Sequence, residues 1–159
     1  MLRTKLLVLI ALACLQGCAA LSPASKLTKL DIRLDASERL NPDVNGRPSP
    51  VVVRLMELRH PVAFKNADFF SLYQQPRETL MPDLVAVEEI ELRPGDTREL
   101  KLSANPESRY LGVIVAYRDL TESEWRTTIP LEAKRINAIV LELEENGLVK
   151  PAASARKKD

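Results

Sequence analysis

The stretch YLGVIVAY, residues 110–117, is the most apolar segment of the chain beyond its first twenty residues. A strand with one face in solvent alternates apolar and polar side chains, and this stretch does not alternate, so we expect both of its faces to be covered. One face carries the larger side chains. The other face carries Gly112, Ile114 and Ala116, which are small enough for another element to pack closely. The stretch therefore predicts a central strand between a core and a second covering layer.

The covering layer is predicted from a change of hydrophobic period upstream. Residues 68–73 have apolar side chains at 69, 70, 72 and 73, which is typical of a short helix, and Asp68 stands where an N-cap belongs. A second short helix is expected within residues 77–84. We place the whole helical insertion at about residues 64–84 and expect it to cover the small-residue face of the 110–117 strand.

Short strands on both sides of the insertion complete the pattern. Residues 30–35 alternate apolar and charged side chains, and residues 51–58 are rich in β-branched residues. Further strands are expected near 85–92, at Leu100 and Leu102 on the return from a turn at 93–96, and at 125–131, 136–143 and 148–149 after the hairpin signal Asn146-Gly147. The broken parity at Glu88-Glu89 predicts a bulge or an element boundary there. Seven or eight short strands with turns between them predict an all-β sandwich.

The first eighteen residues have the pattern of an export signal. Arg3 and Lys5 precede ten apolar residues, 6–15, which span about 15 Å as a helix and are too short to cross a bilayer core of about 30 Å. Leu15-Gln16-Gly17-Cys18 resembles a bacterial lipoprotein signal. That resemblance implies cleavage before Cys18, a covalent lipid on Cys18 and, because Ala19 follows in place of an aspartate, sorting to the periplasmic face of the outer membrane.

These segments divide the chain into four predicted parts: a signal peptide at 1–17, a lipidated tether at 18–26, a β-sandwich domain at 27–150 and a flexible tail at 151–159. Cys14 leaves with the signal and Cys18 takes the lipid, so we expect neither a free thiol nor a disulfide in the mature domain. Loss of Arg3 and Lys5 leaves 21 basic against 22 acidic residues, a net charge of about −1. This charge excludes the basic surface that nucleic acid requires.

The residues give little support for catalysis or metal binding. His60 is the one histidine, and no Gly-x-Ser-x-Gly motif occurs. Residues 41–46 are similar to the start of a calcium loop, but its first ligand is Asn41 where an aspartate belongs, and Val52 stands where the bidentate glutamate belongs. We therefore expect no enzyme, no metal, no cofactor other than the covalent lipid, and no small-molecule substrate.

The loop Leu40–Pro50 is the segment best suited to a partner. Three prolines and one glycine restrict it. A stiff exposed loop loses less entropy on binding, which favours docking. On composition alone, docking and an ordinary connection between strands are equally supported.

An ordered series of motifs resembles the family of type VI secretion outer-membrane lipoproteins known as TssJ, VasD or SciN. The series comprises Asn41-Pro42-Asp43, residues 46–54, residues 67–73, Leu92 with Pro94-Gly95, residues 110–113, residues 116–119 and Trp125-Arg126. The match runs from the lipoprotein signal to about residue 145. It implies a transthyretin-like two-sheet β-sandwich of about eight strands with a small helical insertion.

The resemblance also implies a function. The protein would be a lipid-anchored structural component that tethers the inner-membrane component TssM, through its periplasmic C-terminal region, to the outer membrane. The family docks through the loop between its first two strands, here about residues 39–48. The predicted binding residues are Arg39, Leu40, Asn41, Pro42, Asp43, Val44, Asn45 and Gly46, with Leu40 or Val44 as the apolar anchor. The alternative is a periplasmic ligand-binding or carrier lipoprotein with another partner, which would need a roomy apolar pocket.

Overall fold

The structure, a computed structural model, describes residues 27–149. The predicted signal peptide, the lipidated tether with Cys18, and the tail lie outside these residues. The elements are β1 Thr28–Ala36, β2 Val51–Leu58, α1 Val62–Asn66, α2 Phe69–Gln74, α3 Pro76–Leu80, β3 Leu84–Leu92, β4 Thr97–Ala104, β5 Tyr110–Val115, β6 Arg126–Pro130, β7 Ile136–Glu144 and β8 Gly147–Val149. Within the described part of the chain, every helix falls short of the length and apolarity that a membrane crossing requires.

The strands form two four-stranded sheets that enclose a common core. One sheet has the order β4-β1-β7-β8, and the other has the order β3-β2-β5-β6. β1 pairs with β7 in parallel, with Ile32 opposite Ile139, and the remaining strand pairs are antiparallel. The predicted all-β sandwich with a small helical insertion is confirmed.

Alternate side chains from both sheets fill the space between them. Leu30, Ile32 and Leu34 of β1 are essentially buried, and Leu111 and Val113 of β5 belong to the same cluster. Full burial of each aliphatic side chain of this size contributes about 1.5–3 kcal/mol. The alternation of residues 30–35 thus marked the inward face of β1 correctly.

The second face of β5 is covered by the helical insertion, as the sequence predicted. Ile114 is fully buried in a cluster with Leu58 of β2, Phe64 of α1 and Leu72 of α2. Gly112 lies directly under Phe64, because a Cβ at this position would stand 2.8 Å from Phe64 Cε2. A glycine is required here since any side chain would displace the ring above it.

Two arginines fasten the insertion to the sheet beneath it. Arg54 of β2 lies 4.0 Å from the centroid of the Tyr73 ring, donates a hydrogen bond to the Tyr73 carbonyl and donates from Nε to Glu89 at 2.7 Å. Arg126 of β6 donates to the carbonyl of Ala67 at 2.7 Å. Cationic side chains thereby satisfy carbonyl groups that short helices leave without intrahelical donors.

The start of α2 agrees with its predicted cap. Asp68 precedes the helix, and its Oδ1 accepts a hydrogen bond from the backbone N–H of Ser71 at 3.0 Å. The Ser71 hydroxyl donates to the other carboxylate oxygen at 2.6 Å. These bonds, led by the hydroxyl, lower the pKa of Asp68 below its ordinary value.

The predicted irregularity at Glu88-Glu89 is wrong. β3 runs unbroken through both residues, and the register shift lies near the start of β3, where Glu57 pairs with Ala86 and Leu58 with Leu84, so that Val85 is the extra residue. β3 is an edge strand, so Glu88 reaches solvent although it pairs with the buried Leu55. An edge position thus lets a charged residue occupy the inward parity without breaking the ladder.

Three further predictions are corrected in detail. The turn at 93–96 is present, but the strand after it crosses to the other sheet, where Leu100 pairs with Ile32 of β1. The second predicted helix, at 77–84, is shorter: α3 ends at Leu80 and β3 begins at Leu84. The insertion also begins two residues earlier than residue 64, because α1 starts at Val62.

Candidate functional site

The connection between β1 and β2, residues 37–50, lies at the end of the sandwich where β1 and β7 both terminate. The backbone N–H of Ser37 donates to the carbonyl of Leu143 at 2.8 Å, and the backbone N–H of Asn41 donates to the carbonyl of Glu145 at 3.0 Å. The first part of the loop is therefore attached to the end of β7 and to the turn that follows it. Thr28, where the described chain enters β1, lies at the opposite end.

Asn41 holds the base of this loop. Its side chain is 6% exposed, its Nδ2 donates to the Pro50 carbonyl at 3.0 Å, and its Oδ1 accepts from the backbone N–H of Arg118 at 2.7 Å. Its φ of 47° is left-handed, a conformation that asparagine tolerates better than most residues. Asn41 thus joins both ends of the loop to the chain segment after β5, while the neighbouring Leu40 is fully buried in the core.

Asp43 closes the tip of the loop. Its Oδ1 accepts from the backbone N–H groups of Asn45 at 2.8 Å and Arg47 at 3.0 Å, and its Oδ2 accepts from Arg47 Nε at 2.9 Å. The backbone of Asp43 also exchanges hydrogen bonds with Gly46 and Arg47, at 2.9 and 2.8 Å. The left-handed φ of 76° at Gly46 permits this tight closure. The tip is consequently a pre-formed turn.

The apolar side chain at this tip faces solvent. Val44 is 95% exposed, and the following residues Asn45, Gly46, Arg47 and Pro48 are exposed as well. The hydrogen-bonded turn therefore presents one almost fully exposed apolar side chain to solvent.

Tyr117 packs in the core at the same end of the sandwich. Its ring is buried in the core cluster, and its hydroxyl donates to the carbonyl of Glu144 at 3.2 Å. Burial raises the pKa of Tyr117 well above its ordinary value, and the charge of Glu144 adds to this effect. The hydroxyl therefore remains a hydrogen-bond donor throughout the physiological pH range.

The predicted binding residues fall into three groups by exposure. Val44, Asn45, Gly46 and Arg39 are exposed, Pro42 and Asp43 are half-buried, and Leu40 and Asn41 are buried. Leu40 therefore cannot serve as an apolar anchor, which leaves Val44 for that part. Whether these residues contact a partner stays a prediction.

Two residues of this site were not among the predicted binding residues. Arg47 pairs with Asp43 at 2.9 Å, and the Asp43-x-x-x-Arg47 spacing was the available signal. Arg118 approaches the loop only in three dimensions, since it follows β5 and its backbone bonds to Asn41. No local pattern could have shown that contact.

Other chemistries find little support in the described residues. Between residues 27 and 149, no three histidine, cysteine, aspartate or glutamate side chains are placed to hold a metal ion. His60 lies exposed after the end of β2. An open cavity of about 340 Å³ beside α2 and β3 has a mainly polar lining of Arg54, Tyr73, Gln74, Pro76, Arg77, Val87 and Glu89. It differs from the roomy apolar pocket that a carrier of apolar ligands would need.

Acidification is expected to loosen the loop tip through Asp43. Backbone hydrogen bonds from Arg47 and Asn45, with the Arg47 side chain, lower the pKa of Asp43 below its ordinary value of 3.8. The ionised form is the one stabilised by folding, so this stabilisation is complete above pH 3.8 and is lost as the pH falls through the lowered pKa. A carboxyl-carbon NMR titration should give a midpoint below 3.8, and Arg47→Ala should move it upward. A midpoint at or above 3.8 in the native protein would contradict the closed turn.

Comparisons with known proteins agree on one family. Residues 28–146 match the family model described as "Type VI secretion lipoprotein, VasD, EvfM, TssJ". The crystal structure of the T6SS lipoprotein TssJ1 from Pseudomonas aeruginosa is 34% identical, with a TM-score of 0.76 and coverage of 79% of this chain and 98% of that one. No curated protein gives a match.

Two further solved structures have the same fold. Serratia marcescens Lip, a membrane-bound component of the type VI secretion system, is 25% identical with a TM-score of 0.73, and the alignment covers 79% of this chain and 98% of that chain. A chain of a type VI membrane complex is 24% identical with a TM-score of 0.70, with coverage of 79% and 99%.

Proposed function

Because this chain belongs to the TssJ/VasD family of type VI secretion lipoproteins, we propose that it ties the inner-membrane component TssM to the outer membrane. Family membership makes the protein a structural, membrane-associated component of the secretion complex and not an enzyme. The finer assignments, namely the outer membrane, the TssM partner and the docking loop, are the content of the proposal.

The membrane attachment in this proposal is a covalent lipid on Cys18. A single acyl chain binds a bilayer only marginally, and stable anchoring needs further chains, as bacterial lipoproteins carry. Confinement to the membrane raises the effective concentration of the domain near a partner that spans the periplasm. The function therefore requires no chemistry beyond binding.

The docking element in this proposal is the pre-formed tip of the β1–β2 loop, which binds the periplasmic C-terminal region of TssM. The observation that carries the assignment is the 95% exposure of Val44 on a turn closed by Asp43. A turn that is already ordered loses little conformational entropy when it binds. Val44 would enter an apolar pocket of the partner, and Arg39, Pro42, Asn45 and Gly46 would surround it.

The test is a single substitution at the exposed tip. Val44→Asp, in the mature lipidated protein in detergent micelles, should raise the Kd for the periplasmic C-terminal region of TssM at least about tenfold, the equivalent of 1.4 kcal/mol. A charge would then replace the apolar anchor while Leu40 and Asn41 keep the loop in place. Isothermal titration calorimetry gives the Kd. Val62→Asp is the matched control, because Val62 is exposed on α1 and follows the opposite end of β2 from the loop.

Each possible result of this titration has a distinct meaning. An unchanged Kd for Val44→Asp would remove the loop tip from the interface. An equal rise of the Kd in Val62→Asp would show a general effect of the added charge. Absence of binding by the unaltered protein would reject TssM as partner and favour a lipoprotein that serves another partner.

A further inference from the structure

Among residues 27–149, one edge of the first sheet lacks a neighbouring strand over most of its length. β8 pairs with β7 only at Glu142, Leu143 and Glu144. On that side, in the described range 27–149, residues 136–141 of β7 have no strand beside them. Most of a nine-residue strand is therefore an open edge.

The hydrogen bonds around β8 show which groups of β7 face the open side. The N–H of Leu148 points away from β7, because it donates to the carbonyl of Glu124 at 2.9 Å. Its neighbours Gly147 and Val149 consequently face β7, and so Glu142 and Glu144 face β8. Backbone groups alternate along a strand. The same parity directs the N–H and C=O groups of Ile136, Ala138 and Val140 toward the open edge.

The opposite side of β7 confirms this parity independently. The N–H of Lys29 donates to the carbonyl of Arg135 at 2.9 Å, and that of Ser37 donates to the carbonyl of Leu143 at 2.8 Å. Odd-numbered residues of this segment thus face β1. Within residues 27–149, the three even-numbered residues Ile136, Ala138 and Val140 have no backbone partner on the open side.

The open part of β7 also lacks the charges that guard the other edges. Proteins commonly protect edge strands with charged side chains, prolines or short strand lengths. The edge strand β3 carries Glu88, Glu89 and Glu91. The edge strand β4 carries Arg98, Glu99 and Lys101, and β6 ends at Pro130. Residues 136–141 read INAIVL and contain no charge. This edge is available for strand addition in a way that the others are not.

We infer that the open edge of β7 binds the same edge of a second copy of this chain, antiparallel and two-fold about Ala138. This register uses all three open residues of each copy. Ile136 lies opposite Val140 of the second copy, and Ala138 lies opposite itself. The apolar Ile136, 60% exposed in the single chain, thereby gains an apolar neighbour, and the small Ala138 permits close approach at the axis. The pattern Ile-x-Ala-x-Val is complementary to itself in this register.

The chain's own continuation is poorly suited to this edge. An extension of β8 past Val149 would place Pro151 opposite Val140, since residues 147, 149 and 151 share one direction. Proline has no N–H to donate to the Val140 carbonyl. An intramolecular extension of the ladder would thus lack one hydrogen bond at the point where the intermolecular ladder would begin.

The contact area is small, so the pair is expected to form at a membrane and not in dilute solution. Five residues from each copy bury much less than the roughly 800 Å² per partner of a stable interface. The pair should therefore dissociate in dilute solution. Attachment of both copies to one membrane raises their effective concentration and favours the pair.

Cysteine cross-linking tests the register directly. Opposite residues of a hydrogen-bonded antiparallel pair have Cα atoms about 5.5 Å apart, within the range that a disulfide spans. Ala138→Cys in the full chain, produced in the envelope of a bacterial host without type VI secretion genes, should give a reducible dimer on a non-reducing gel. The parent chain controls for Cys14 and Cys18. Ile136→Cys alone should stay monomeric, whereas co-production with Val140→Cys should restore the dimer.

The other outcomes overturn the proposal. Equal cross-linking by Ile136→Cys would indicate random collision, and absence of any dimer would exclude the contact. Cross-linking only after removal of residues 151–159 would assign the edge to the chain's own tail. A mixed disulfide of Ala138→Cys with another protein would assign the edge to a different partner. Because TssM is absent from this host, the result is independent of the docking-loop experiment.

Discussion

Replacement of Phe64 by alanine is expected to lower the free energy of unfolding by about 3–5 kcal/mol. Phe64 is fully buried between the insertion and the second face of β5. Gly112, directly beneath the ring, has no side chain with which to fill the vacated space. Urea unfolding followed by the fluorescence of Trp125, which packs against this cluster, measures the change.

Phe70 provides the matched control on the same insertion. It is 60% exposed, although its ring meets Phe69 edge-on at 5.6 Å. Phe70→Ala should therefore cost about 1 kcal/mol or less. Similar losses for both variants would mean that the insertion does not seal the second face of β5 through Phe64.

Replacement of Asn41 by alanine should reduce both stability and partner binding. It removes two part-buried hydrogen bonds, one to the Pro50 carbonyl and one from the Arg118 N–H, and puts alanine at a left-handed φ. The combined cost is about 2–4 kcal/mol. Because Asn41 fixes the base of the loop, the variant should also weaken TssM binding by displacing Val44. Urea unfolding and calorimetry on the same preparation measure the two effects.

Asn45→Ala separates this positioning effect from a general loss of side chains in the loop. The Asn45 side chain is exposed, and the bond to Asp43 comes from the Asn45 backbone N–H. The free energy of unfolding of the Asn45→Ala protein should therefore change by about 0.5 kcal/mol or less. Val44→Asp should reduce binding without a change in stability. An Asn41→Ala protein of unaltered stability would contradict the bonding described at the loop base.

Local patterns in the sequence predicted most elements but few of their pairings. The alternation at 30–35, the cap at Asp68 and the doubly apolar stretch at 110–117 each depend on neighbours within one element, and the structure confirms them. The turn at 93–96 looks the same whether the next strand returns alongside β3 or crosses to the other sheet. That choice depends on the contact of Leu100 with β1, about seventy residues away in sequence.

The loop shows the same limit at the level of single residues. Leu40 and Val44 are both apolar residues in a turn-rich segment, yet one is buried in the core and the other is almost fully exposed. The sequence around each of these two residues does not show which one is buried. The difference arises because the loop begins against the end of β7, so that Leu40 points inward before the chain turns out at Asp43.

The central place of β1 determines how the domain would respond to force. β1 connects the N-terminal end of the sandwich directly to the β1–β2 loop, and it is bonded along its length to β4 on one side and β7 on the other. A pull between Thr28 and the loop runs along the covalent backbone of β1, which is already nearly fully extended, so it leaves the hydrogen bonds to β4 and β7 with little load. A tether attached at Thr28 and at the loop would therefore transmit force through one extended strand without opening the sandwich.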